Sequence, residues 1–302
     1  MRRLLSIIAA TVALAVPAAL AQAAPAKSPA ATAAAAPTRF TVEVRGSTGP
    51  DVILIPGLTS SRDVWAATAK ALQGGHRLHL VQVRGFAGSE AGPNAEGPVL
   101  DGLVEELAAY IRANNLKAPA VIGHSMGGLT ALLLAERHPD FVGRVMIVDA
   151  LPFFGMLFGP TATAESLRPQ AEQTRTLYQT MPAEQLAQVQ TSTMQRLVKN
   201  EVGRAEALKW SLASDPRVVG QLTYEVMTTD VRPRLATVQT PVTVLYARDD
   251  AMGLMAASVD PLYQGAYAAL PNKRLVRMDG AFHFIMFDQP EAFQREVETF
   301  LK

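Results

Sequence analysis

The sequence predicts an α/β fold built on a mostly parallel, doubly wound sheet. Short runs rich in β-branched and large apolar residues, bounded by Gly, Pro or Asp, alternate with segments of helical period. That order implies parallel strands joined by crossover helices. Several runs are apolar on both faces, as expected of strands covered by helices on either side. One long stretch, residues 151–239, breaks the rhythm: it has no strong strand, and its Gln, Glu, Thr, Ala and Met content suggests several helices inserted between two strands.

In chain order, Met1-Arg2-Arg3 is a short basic start followed by an apolar, Ala-rich run over residues 4–16. Pro17 breaks that run, and Ala21-Gln22-Ala23 supplies the small-x-small pattern that signal peptidase reads, so residues 1–23 are expected to be a cleavable secretory signal. The apolar run is shorter than the ~20 residues a bilayer crossing needs, so no stable membrane anchor is expected. The expected location is periplasmic or secreted. Residues 24–38, rich in Ala, Pro, Ser and Thr without apolar period, read as a flexible linker.

Strands are expected at residues 40–45, 52–55, 77–83, 120–122, 144–148, 242–246 and 274–278, and helices at about 63–72, 100–114, 126–137 and 291–300. Leu103, Leu107, Tyr110 and Ile111 share one helical face and belong in the core.

The 302 residues are 49% hydrophobic and 18% charged, too apolar for disorder. With 28 basic against 27 acidic residues there is no electrostatic footprint for nucleic acid. The chain has no Cys, which excludes disulfides, thiolate metal sites, a Cys nucleophile and lipid acylation at the cleavage site. No clustered ligand spacing or phosphate-binding glycine pattern is present, so neither metal nor cofactor is expected.

Chemistry is concentrated in Gly123-His124-Ser125-Met126-Gly127, which follows an apolar strand and opens a helix. A Ser at such a turn is forced into a strained backbone conformation that lifts its hydroxyl clear of the sheet, and the glycines avoid collisions with the neighbouring strand and helix. Ser125 is the candidate nucleophile. A Ser hydroxyl needs a positioned base. Of the five histidines, His76 and His79 border or lie in an early strand, His124 is expected to point away from the nucleophile, and His138 ends a helix. His283 lies in the loop after the last strand, at the sheet edge where the nucleophile turn emerges, and is the candidate base. For the carboxylate that orients it, Asp250 is favoured; Asp249 and Asp149 also end strands and also satisfy the order nucleophile, acid, base. Two backbone N–H groups should form an oxyanion hole: that of Met126, beside the nucleophile, and that of Leu58, in the turn after residues 53–55.

Ile55-Pro56-Gly57-Leu58, Arg84-Gly85-Phe86-Ala87-Gly88-Ser89, Gly123-His124-Ser125-Met126-Gly127-Gly128, Arg248-Asp249-Asp250 and His283-Phe284 occur in the order and spacing of the α/β-hydrolase superfamily. The chain resembles that superfamily from about Arg39 to the C-terminus. The resemblance implies a sheet of about eight strands, a core formed by residues 39–150 and 240–302, and a helical cap formed by residues 151–239, inserted after the sixth strand. It also implies an acid at the fourth position of a G-x-x-D turn; here Ala247 replaces the Gly and Asp250 holds the acid's place. Ile55-Pro56-Gly57 stands where many members have His-Gly. A Ser at the elbow argues against the haloalkane dehalogenase and epoxide hydrolase branches, which carry Asp there.

The expected activity is hydrolysis of carboxylic esters, lactones included, through an acyl-serine. The same triad could instead serve C–C or amide cleavage or cofactor-free perhydrolysis; a non-catalytic binding role would be signalled by loss of Ser125 or His283, and both are present. Phe153, Phe154 and Phe158, where the chain enters the cap, are candidates to line an apolar substrate pocket, or they pack the cap onto the core. The expected partner is therefore a small, apolar, ester-like molecule.

Overall fold

The computed structural model describes residues 36–302. The expected signal segment and most of the linker lie outside them. The seven strands are β1 (Phe40–Arg45), β2 (Asp51–Ile55), β3 (Arg77–Val83), β4 (Ala120–His124), β5 (Arg144–Val148), β6 (Val242–Arg248) and β7 (Lys273–Asp279). They form one sheet in the order β1-β3-β2-β4-β5-β6-β7, with β1 antiparallel to β3 and every other pair parallel. Each expected run is a strand. The sheet has seven strands among the described residues against about eight expected, and the helical insertion therefore follows the fifth strand.

Helices α1 (Ala66–Leu72), α2 (Leu100–Ala113) and α3 (Met126–Arg137) connect the early strands. Between β5 and β6 lie α4 (Ala164–Thr180), α5 (Ala183–Leu197), α6 (Glu201–Leu212) and α7 (Pro216–Thr228), with α4 packed on α7 and α5 on α6. Helices α8 (Val259–Ala266), α9 (Ile285–Asp288) and α10 (Pro290–Leu301) complete the chain.

Strand alternation sends side chains to opposite faces, and the two faces build separate cores. Ile53, Ile55, Val145 and Ile147 join Leu103, Leu107 and Leu132 on one side. Val52, Leu54, Met146 and Val148 join Trp65 and Phe293 on the other. Helices thus cover both faces of the sheet, and the carboxyl ends of its parallel strands are left to carry the site.

Candidate active site

Strand β4 runs into α3 through Ser125, whose φ of 53° and ψ of −121° are strained for a non-glycine residue. The strain is held by the ladder on one side and the helix on the other. Ser125 N donates to Val148 O (2.9 Å), while Ser125 O accepts from Gly128 N (2.8 Å) and Leu129 N (3.1 Å). Crossing so tight a turn requires bare backbone. A Cβ on Gly123 would lie 2.1 Å from Gly127 O, and one on Gly127 would lie 2.4 Å from Ile55 O.

The next strand along, β5, is followed directly by Asp149, a second non-glycine residue at positive φ (50°). Its N–H continues the ladder to Leu245 O at 2.8 Å. The twist in the backbone turns the carboxylate across β6 and into a full set of donors. Asp149 Oδ1 accepts from Ala247 N (2.9 Å) and from Tyr263 OH (3.0 Å), and Oδ2 accepts from His283 Nδ1 at 2.7 Å. The carboxylate can only accept, so His283 carries its proton on Nδ1 and leaves Nε2 as an acceptor. Burial and the Asp149 charge push the Tyr263 phenol well above its ordinary range, so it stays a neutral donor to that carboxylate.

This places the carboxylate partner of His283 just after β5 and corrects the expectation for Asp250. The Asp250 side chain is 89% exposed and pairs with Arg248 at 2.8 Å. Strand β6 continues to Arg248, two residues beyond the expected end, and carries this turn outward past the histidine. Asp249 is also engaged elsewhere, accepting from Ala251 N (2.8 Å) and from the Lys199 ammonium (2.6 Å), which holds its carboxyl below the usual range.

Ser125, Asp149 and His283 all line a cavity of about 450 Å³ between the strand ends and the inserted helices, and Leu58 and Met126 line it too. Neither the Leu58 nor the Met126 N–H has a protein acceptor among the described residues; for Met126 this follows from its place at the first position of α3. The turn bearing Leu58 is closed by a Ser60 N to Gly57 O bond of 3.2 Å, and Thr59 within it sits at a positive φ of 62°.

Of the three phenylalanines, only Phe154 lines the cavity. Phe153 is fully buried with the Arg232 guanidinium 4.4 Å from its ring centre, a contact made within the insertion itself. Phe158 is half exposed and meets Phe154 edge-on. Trp65 and Trp210 also lie off the cavity, in the second core.

His124 does not turn away from the site. It lines the cavity, its ring centre 4.6 Å from that of His283, and its Nε2–H donates to His283 O at 3.0 Å. Burial, then the neighbouring His283, holds it well below the ordinary imidazole range, so it is a neutral strut under the His283 loop. Tyr263 is a second contributor that sequence reading missed; a Tyr on an amphipathic helix carries no signal of its partner. No group of three or more metal-ligating side chains occurs among the described residues, and none of their helices is long and apolar enough to cross a membrane.

Residues 50–290 match the family described as alpha/beta hydrolase fold. The chain belongs to the α/β-hydrolase fold family. It is 28% identical over 253 residues to a pimeloyl-(acyl-carrier protein) methyl ester esterase of Aromatoleum aromaticum, a match covering 80% of this chain and 94% of that relative. Among solved structures, an enol-lactonase from Burkholderia xenovorans LB400 superposes with a TM-score of 0.70 at 20% identity, covering 87% of this chain and 96% of that one. A thermophilic esterase from Thermogutta terrifontis gives 0.70 at 20% identity, over 87% and 92% of the two chains. This α/β-hydrolase is a hydrolytic enzyme, with esterases among its relatives.

Proposed function

We propose that this α/β-hydrolase cleaves uncharged carboxylic esters through an acyl-serine, with Ser125 as nucleophile, His283 as base and Asp149 as the orienting acid. The observation that carries this reading is the 2.7 Å bond from His283 Nδ1 to Asp149 Oδ2, beside a strained Ser125 on the same cavity. With Nδ1–H committed to Asp149, His283 Nε2 accepts the Ser125 proton as Oγ attacks the ester carbonyl. The oxyanion that forms is met by the Leu58 and Met126 N–H groups. Collapse breaks the acyl–alkoxy bond, and His283 returns the proton to the departing alcohol. Water then attacks the acyl-serine by the same route, releasing the acid and restoring Ser125.

The cavity favours an apolar acyl or alkyl group, because its walls are chiefly Leu, Met, Val and Phe side chains. Residues 1–23 retain the features of an export signal, and we place the mature enzyme outside the cytoplasm on that sequence alone.

Hydrolysis of p-nitrophenyl esters of graded acyl length, by the purified chain and by Ser125→Ala, tests the proposal. Turnover is expected to fall about 10³-fold or more in the variant. A folded Ser125→Ala protein with undiminished turnover would remove the acyl-serine.

A further inference from the structure

The wall of the cavity opposite the sheet is not uniformly apolar. Gln190 of α5 lines the cavity, is 5% exposed, and has its amide Oε1 buried without any hydrogen-bond partner. Ser211 of α6 lines the same cavity, is 2% exposed, and its hydroxyl bonds no protein group among the described residues. The two residues belong to helices packed on one another in a single hairpin. An amide group buried with an unmet hydrogen bond is costly, so a binding wall built for hydrocarbon alone would carry Leu or Met there. The remaining lining adds a constraint on charge. It contains no Lys, Arg or Glu among the described residues, and its one carboxylate, Asp149, is filled by three donors. A carboxylate or ammonium on the substrate would enter this cavity without a counter-charge.

We infer that Gln190, with Ser211, is a specificity site for an uncharged hydrogen-bonding group, a hydroxyl or amide, carried on the apolar part of the substrate held under the helical insertion. The inference rests on the ester-hydrolase reading and names its substrate class: neutral esters with a second polar group. The Gln amide turns about a broad terminal torsion and so offers either a donor or an acceptor. Ser211 offers both as well. Neither group can neutralise a charge. The bifunctional substrate is thus distinguished from a plain alkyl ester by hydrogen bonds, and from its acid or amine counterpart by desolvation.

The test uses p-nitrophenyl esters with acyl chains of four to eight carbons ending in methyl, hydroxyl, carboxamide, carboxylate or ammonium. Each is assayed for kcat/KM on the wild-type enzyme, Gln190→Leu and Gln190→Glu, and for Kd on Ser125→Ala, which binds without turnover. At one or more chain lengths the hydroxyl or carboxamide ester should match or exceed its alkyl counterpart. Both charged esters should fall at least 100-fold below it. Gln190→Leu should then lose at least tenfold on the polar ester through KM while the plain alkyl ester is held or improved. Gln190→Glu should raise the ammonium ester selectively, which a merely structural glutamine would not produce. Equal loss on alkyl and polar esters in Gln190→Leu, or carboxylate esters used as well as alkyl ones, would overturn the inference. Absence of turnover on every ester would overturn the ester reading alone, since the Kd series on Ser125→Ala still reports whether Gln190 selects the polar group.

Discussion

Replacing Asp149 by Asn separates the two strand-end carboxylates more sharply than any deletion would. The exchange is nearly isosteric, and the amide oxygen of the new side chain can keep both the Ala247 N–H (2.9 Å) and the Tyr263 hydroxyl (3.0 Å). What changes is the atom facing His283 Nδ1, 2.7 Å away: an acceptor oxygen becomes an NH₂ donor. His283 must then present a lone pair at Nδ1 and carry its proton on Nε2, where it can no longer accept from Ser125. A histidine locked in the wrong tautomer costs about 10⁴-fold in kcat, or about 5.5 kcal/mol of barrier. Asp250→Asn removes only an exposed pairing with Arg248 and should leave activity within about twofold. The assay is kcat/KM on one p-nitrophenyl ester for both variants, with thermal melts to confirm that each folds. A loss of 100-fold or more in Asp250→Asn, with Asp149→Asn within tenfold of wild type, would refute the assignment and the tautomer argument with it.

Two further outcomes follow from backbone packing and burial. Gly123→Ala and Gly127→Ala drive a methyl to within 2.1 Å and 2.4 Å of backbone oxygens and should yield insoluble or strongly destabilised protein, whereas Gly74→Ala, with nothing within 4 Å, should melt within a few degrees of wild type; soluble, fully active Gly123→Ala would contradict the tight turn. For pH, His79 and His124 are both held below the ordinary imidazole range, chiefly by burial, so the unfolded chain takes up their protons first as pH falls. Their contribution is complete above about pH 6.5 and is lost below it, at up to about 1.4 kcal/mol per pH unit for each. Melting temperature should therefore fall from pH 7 to pH 5, less steeply in His79→Gln; a flat or rising profile would show that these imidazoles protonate in the folded state.

The contrast between Ser125 and Asp149 marks where sequence stops being informative. Ser125 is legible because its turn imposes requirements on its neighbours: two glycines whose Cβ atoms would strike Gly127 O and Ile55 O, after an apolar strand and before a helix. The strand pattern is legible for a similar reason, since burial on both faces demands continuous apolar runs. Asp149 makes no such demand. Asp149, Asp249 and Asp250 all follow β-branched runs, and local chemistry treats them alike. What separates them is the register of β5 against β6, which pairs Val148 with Leu245 and so sets Asp149 beside the Ala247 N–H. Register is a property of two strands 98 residues apart at that contact, and no window around either aspartate contains it. The same holds for Gln190, whose helix is polar on average and whose unpaired amide becomes visible only once α5 is laid over the strand ends. Fold and candidate nucleophile are thus written locally, whereas the carboxylate partner of His283 and the Gln190 wall are set by tertiary packing.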